Sequence, residues 1–259
     1  AIILPMRRPV LIAILVIAAV ALVLATAGGG RDTSLERVRE RGTLRVGMDA
    51  SFPPFEVVDA SGELRGLDVD LARLLAQEME LKLDIANIAF DGLYDALACG
   101  EVDVLISALP YDPLRTQDVT YSPPYAVDGL AWLYREGSSA QDPDTFRGEI
   151  LAEAGSEAAY LGRERWPEAR VVEVPSEAEV VARLRAGAEA GLTTRVSACT
   201  LGLPGDGIAL GPLFNEVPYS VAVRASNAAL AQAVMDALGQ VLAGEEWRMA
   251  VDSWLGEGC

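Results

Sequence analysis

Residues 42–77, GTLRVGMDASFPPFEVVDASGELRGLDVDLARLLAQ, restrict the fold more than any other stretch. Thr43-Leu44-Arg45-Val46 alternates polar and apolar residues, the pattern of a strand with one buried face. Pro53 and Pro54 then hold the backbone extended and remove two amide donors, which excludes a helix interior or a central strand there. Asp49, Phe52 and Phe55 are therefore carried on a stiffened loop at the end of a strand. In open α/β sheets that end is where small ligands bind. Ser61-Gly62 marks a turn, and from 67 to 79 Leu67, Leu71, Leu74, Leu75 and Met79 recur at helical spacing among polar residues. By pattern alone this is an ordinary strand–loop–helix unit.

The same reading extends along the chain. Residues 34–41 form a charged helical lead-in, and 82–88 alternate as a second strand. Residues 91–99 read as a helix closed by Gly100, and 102–108 are an apolar run of strand length. This β-α-β-α-β order implies a parallel sheet covered by helices. An apolar strand at 126–134 leads away into a turn-rich segment, 137–144, which marks a lobe boundary. Beyond it lie a strand at 171–174, a helix at 176–186 opened by Ser176, a Gly- and Pro-punctuated loop at 202–211, a returning strand at 219–224 and a helix at 230–242.

Three blocks in the first half carry a resemblance: Gly42-Thr43-Leu44-Arg45-Val46-Gly47, Pro53-Pro54-Phe55-Glu56 and Gly66-Leu67-Asp68-Val69-Asp70-Leu71-Ala72. In order and spacing they resemble the opening of the family-3 extracellular solute-binding proteins, which serve ABC importers of amino acids and related compounds. Phe90-Asp91-Gly92-Leu93, Asp112-Pro113-Leu114-Arg115 and Tyr121-Ser122-Pro123-Pro124-Tyr125 continue the resemblance without a gap. It thins in the second half, then returns at the closing Trp254-Leu255-Gly256. The resemblance implies an α/β, two-lobed periplasmic-binding-protein fold (type II-like), each lobe a helix-covered, mainly parallel sheet. One lobe is expected from residues 32–127 plus 223–259 and the other from 128–222. Two hinge crossings are expected, near 127–132 and 217–223.

Composition removes other function classes. A net charge of −17 without a basic stripe argues against nucleic-acid binding. The absence of His excludes His-based triads and His metal sites, and no C-x-x-C pair points to zinc, so neither metal nor cofactor is expected. Cys99, Cys199 and Cys259 allow one disulfide and a free thiol, or three thiols. Residues 1–30 form a leader: Arg7-Arg8, an apolar run over 10–25, and Ala25-Thr26-Ala27 before three glycines. It reads as a secretory signal peptide cleaved after Ala27 or as an uncleaved membrane anchor, with a weak twin-arginine hint. Both readings put the rest of the chain outside the cytoplasm, in the periplasm or at the cell surface.

Residue by residue, the resemblance implies a ligand site. Arg115 stands where the family grips the ligand α-carboxylate, a role suited to its planar fork. Phe52 and Phe90 stand where rings meet the ligand side chain or amine, Ser107 at a backbone-contact position, and Asp49 where some members meet a basic side chain. Three departures are visible. Asp112 replaces a Thr that helps hold the carboxylate, Glu157 replaces the Thr or Ser expected after Gly155-Ser156, and Arg195, or Thr194 if the alignment slips by one, stands where an amine-binding acid belongs. Two acids near the carboxylate end and a cation at the amine end disfavour a simple neutral amino acid in the usual pose.

The expected function is capture of a small polar or charged metabolite, an amino acid or derivative, for delivery to an ABC importer by a monomeric, non-enzymatic binder that touches the membrane only through its leader. Two alternatives stand beside it: an enzyme on the same fold, like cyclohexadienyl dehydratase, or a membrane-anchored sensing module.

Overall fold

The computed structural model describes residues 32–256. The leader and Cys259 lie outside the described residues. Helix α1 (Ser34–Arg41) leads into β1 (Thr43–Met48). The stiffened loop is more structured than its pattern suggests. β2 (Ser51–Phe52), β3 (Glu56–Val58) and β4 (Leu64–Arg65) pair antiparallel into a small sheet. Strands of two or three residues are too short to leave a periodic signal.

Helix α2 (Leu67–Glu78) follows immediately. The entry is tight: Leu67 and Asp68 donate their N–H groups to Pro54 O and Phe55 O. Gly66 stands there at φ 136°, and a Cβ on it would lie 2.0 Å from Phe55 O. Only glycine fits. β5 (Lys82–Asn87), α3 (Leu93–Cys99), β6 (Val104–Leu105) and β7 (Val119–Tyr121) complete the first half, with Gly100 closing α3 in the left-handed conformation. Of the apolar run at 102–108 only two residues join the ladder. Beyond them the chain turns away, with Ala108 at φ 39°.

β8 (Ala126–Arg135), β9 (Glu149–Glu153), α4 (Glu157–Arg165), β10 (Arg170–Val174), α5 (Glu177–Arg185), β11 (Ala190–Thr194), α6 (Arg195–Thr200) and β12 (Ile208–Tyr219) form the second half. The chain returns through β13 (Ala222–Arg224) and ends in α7 (Ala228–Ala243) and α8 (Glu245–Leu255). The loop expected over 202–211 is shorter, because β12 already begins at Ile208. The strand expected over 219–224 is split, with Tyr219 in one sheet and Ala222 in the other.

The first sheet has the order β5-β1-β6-β13-β7 and the second β10-β9-β11-β8-β12. Each is mixed, correcting the mainly parallel expectation. β1 runs parallel to β5 and β6, and β9 to β10 and β11, while β13 and β8 run antiparallel to both of their neighbours. The antiparallel members are those through which the chain leaves one sheet and re-enters the other. Those two linking segments lie side by side: Ala126 pairs with Tyr219, and Tyr125 N–H donates to Tyr219 O at 2.9 Å.

Both sheets bury apolar residues on both faces. On the first, Leu44 and Val46 meet α2 and α7, while Leu105 and Ala222 meet α3. On the second, consecutive residues of β8 face opposite ways, as the period of two demands. Trp132 packs with Phe146 and Trp166, and Leu133 with Val180, Val181 and Leu184. Cys199 is disulfide-bonded and Cys99 is a free thiol, which sets aside the reading of three unpaired cysteines. Among the described residues, no helix is long and apolar enough to cross a membrane.

Candidate ligand site

The first sheet's loops and the end of β12 enclose a cavity of about 380 Å³. Its wall is the stiffened loop, with Asp49, Ser51 and Phe52. Phe90 enters from the short 3₁₀ turn before α3, Ser107 and Ala108 from the segment after β6, and Val217 and Tyr219 from β12. Four of the residues singled out in the sequence, Asp49, Phe52, Phe90 and Ser107, are thus brought together.

Each is held by a specific contact. Phe52 stacks on Phe55 with ring centres 5.7 Å apart, and Phe55 meets Tyr219 edge-on at 5.2 Å. Phe55 is buried, while Phe52 and Phe90 keep 47% and 44% of their surface open, so both rings have apolar area left for a ligand. Asp49 Oδ2 accepts the Phe90 N–H at 2.8 Å, and the Asp49 N–H donates to Ser107 Oγ at 3.0 Å. Ser107 Oγ–H in turn donates to Glu56 Oε1 at 2.7 Å.

Glu56 is a lining residue that sequence reasoning missed. It is buried, and its carboxyl is held well above the usual carboxylate range, first by burial and then by the charge of Asp68. Burial likewise raises Asp68 and Tyr125, whose hydroxyl donates to Asp68 Oδ2 at 2.8 Å. The signal was available in the Pro-Pro-Phe-Glu block, but the meaning of Glu56 depends on Asp68, which the fold alone places beside it. Tyr219 and Val217 were missed because their part in the site depends on where β12 ends.

The other candidates lie elsewhere. Asp112 caps the 3₁₀ turn Pro113–Arg115, its Oδ1 accepting the Leu114 N–H at 2.9 Å. Arg115 lies over the Tyr94 ring, 4.1 Å from its centre, with Asp112 at 3.5 Å, and lines a separate cavity of about 330 Å³ that also includes Arg224. Ser156 caps α4 by accepting the Ala159 N–H, and Glu157 accepts a hydrogen bond from the Asn215 amide at 2.6 Å. Arg195 opens α6 and lines a third cavity, of about 260 Å³, with Tyr125 and Trp247. None of these five lines the cavity of Phe52 and Phe90. Each is placed instead by a turn, a helix terminus or an aromatic face of its own.

Known proteins share this architecture. Arginine-binding protein 1 of an ABC transporter of Escherichia coli K12 is 26% identical over 218 residues, covering 82% of this chain and 90% of that protein. The L-cystine-binding protein TcyJ of the same organism is 28% identical over 232 residues, 86% of each chain. The solved structure of an ancestral cationic amino acid solute-binding protein superposes with a TM-score of 0.64 at 25% identity, covering 86% of this chain and 99% of that one. Residues 44–257 match the bacterial extracellular solute-binding proteins of family 3, and the chain belongs to that family.

Proposed function

We propose that the protein captures an amino acid carrying charge beyond a single α-amino and α-carboxylate pair, and presents it to the membrane subunits of an ABC importer outside the cytoplasm. The observation that carries this reading is one cavity holding two half-open rings and a carboxylate, Phe52, Phe90 and Asp49. The rings suit the apolar stem of a long side chain and attract a cation, worth on the order of 1–2 kcal/mol when desolvated. Asp49 supplies the opposite charge. The net charge of −17 favours approach of cations. Relatives named for arginine and for cystine fit the same requirement, since each ligand has charges beyond one zwitterion.

In this reading no bond is broken, in keeping with relatives that are named as binding proteins. Residues 32–127 with 223–259 act as one lobe and 128–222 as the other, and ligand favours the closed arrangement. Arg115 takes the ligand carboxylate by leaving Tyr94 and Asp112. That move gives up an exposed cation–π contact and a surface ion pair, about 1 kcal/mol each, for a paired, desolvated carboxylate. Ser107 meets the ligand amine, while Asp112, Ser156, Glu157 and Arg195 border the closing cleft and select against simple zwitterions.

A thermal-shift series tests this, because a ligand of the folded form raises the melting temperature with its concentration. L-Arginine or L-cystine is expected to raise it and to make the protein more compact in solution scattering, with L-leucine doing neither. A rise with leucine or glutamine and none with arginine or cystine would contradict the reading.

A further inference from the structure

At the cavity floor two carboxyl groups, Glu56 and Asp68, lie together, and among the described residues neither forms an ion pair with Lys or Arg. Glu56 is 1% exposed and Asp68 is fully buried, and the two are held by adjacent residues, Glu56 by Ser107 and Asp68 by Ala108. Glu56 Oε1 accepts Ser107 Oγ–H at 2.7 Å. Asp68 Oδ2 accepts the Ala108 N–H at 2.6 Å and the Tyr125 hydroxyl at 2.8 Å. The remaining oxygens, Glu56 Oε2 and Asp68 Oδ1, are buried without an N–H or O–H donor from the rest of the described protein. Two ionised carboxylates in this position would repel each other and leave both oxygens unsatisfied. A single proton resolves both problems.

We propose that Glu56 and Asp68 share one proton, carried on Glu56 Oε2 and donated to Asp68 Oδ1, and that this pair positions the floor of the ligand cavity. Asp68 is the ionised partner because it accepts two other hydrogen bonds and stands in the first turn of α2, where the helix dipole favours an anion. From the pair, bonds run outward to the cavity. Asp68 holds Ala108 in its left-handed conformation, at φ 39°. Glu56 fixes Ser107, Ser107 receives the Asp49 N–H, and Asp49 receives the Phe90 N–H. The importance of that floor for ligand rests on the function proposed above; the shared proton does not.

The titratable groups facing the pair are Asp49 from the loop after β1, Tyr125 from the first crossing and Tyr219 from the end of β12, with Asp128 beyond Tyr219. Both tyrosines stay neutral across the ordinary pH range, Tyr219 being pushed up to about 12, chiefly by burial. Burial also raises both carboxyls, as a retained proton requires.

Amide substitution tests the proposal without any ligand. In Glu56→Gln the amide N–H replaces the proton toward Asp68, and the amide oxygen still accepts from Ser107. In Asp68→Asn the amide donates to an ionised Glu56. The unfolded wild type loses its Glu56 proton near pH 4.3 while the folded protein keeps it, so stability falls as pH rises from there to the raised folded value. Over that window the wild-type folding constant is expected to fall about tenfold more per pH unit than that of either amide variant. At neutral pH the wild type should show the infrared carbonyl band of a protonated carboxyl, absent in Glu56→Gln. The Ala108 and Asp49 amides should keep their exchange protection in Glu56→Gln and lose at least tenfold of it in Glu56→Ala. Amide variants that both fail to fold, or that keep the wild-type slope, or a band that survives Glu56→Gln, would overturn the proposal. Failure of L-arginine to bind wild type would count against the ligand reading and leave these readouts as they stand.

Discussion

Around the first sheet, buried polar side chains converge on one cavity, whereas the long-range polar contacts of the second, such as Glu157 with Asn215 and Asp128 with the Val196 N–H, lie apart from it. Glu56, Asp68, Tyr125 and the adjacent Ser107 and Ala108 come from four separate segments of the first half and are tied by hydrogen bonds that span 17 to 57 residues. In the second half Ser156, Ser176 and Thr194 each cap the helix that follows them, accepting an N–H three residues on. Both halves solve the same folding problem, a sheet buried on two faces with helix ends satisfied. Only the first spends long-range polar contacts on a site. The second contributes shape to that cavity, through Val217 and Tyr219.

The largest expected effect tests the independence of the second core. Trp132 is fully buried between Phe146 and Trp166, and its indole N–H donates to Ala140 O at 2.8 Å. Trp132→Ala should destabilise the protein by roughly 3–5 kcal/mol in denaturant titration. Ligand affinity measured well below the transition should change little. A large loss of affinity at full folding would show that the two halves are coupled more tightly than their cores suggest.

Arg115→Ala reverses that balance. The residue is about half exposed, so stability should move by less than about 0.5 kcal/mol. Binding should lose roughly 2–5 kcal/mol, because a ligand carboxylate is left without its partner. Unaltered affinity would remove Arg115 from the site and leave it as the cap of Tyr94.

Asp49→Asn is the finest probe. The amide can still accept the Phe90 N–H, so the loop should hold, while arginine binding weakens by roughly 1–2 kcal/mol. A variant that binds arginine as well as wild type would mean that the side-chain cation sits elsewhere.

The first half was legible in the chain itself because its signals are local. The alternation of 43–46, the adjacent prolines, the leucine spacing of 67–79 and Gly100 each act within a few residues, and the elements appear where these place them. Asp49 and Ser107 follow the ends of β1 and β6, Phe52 lies in the short β2 and Phe90 in the turn before α3, and all four face one cavity. What was hidden depends on distance. Glu56 is an ordinary acid until Asp68 is folded against it, and Arg115 is a ligand group or a cover for Tyr94 according to how one short turn lies. The split of 219–224 between two sheets could not be read from an apolar run, because strand alternation looks the same whichever sheet receives it.

Selection by charge is tested most directly by isothermal calorimetry of the wild type. L-Arginine and L-cystine are titrated against L-leucine, L-glutamine and putrescine at one pH and salt concentration. Arginine or cystine is expected to bind at micromolar Kd or tighter. Leucine and glutamine are expected to bind at least about a hundredfold more weakly, the consequence of several kcal/mol of repulsion between poorly paired charges. Micromolar or tighter binding of leucine or glutamine, with none of arginine or cystine, would contradict it.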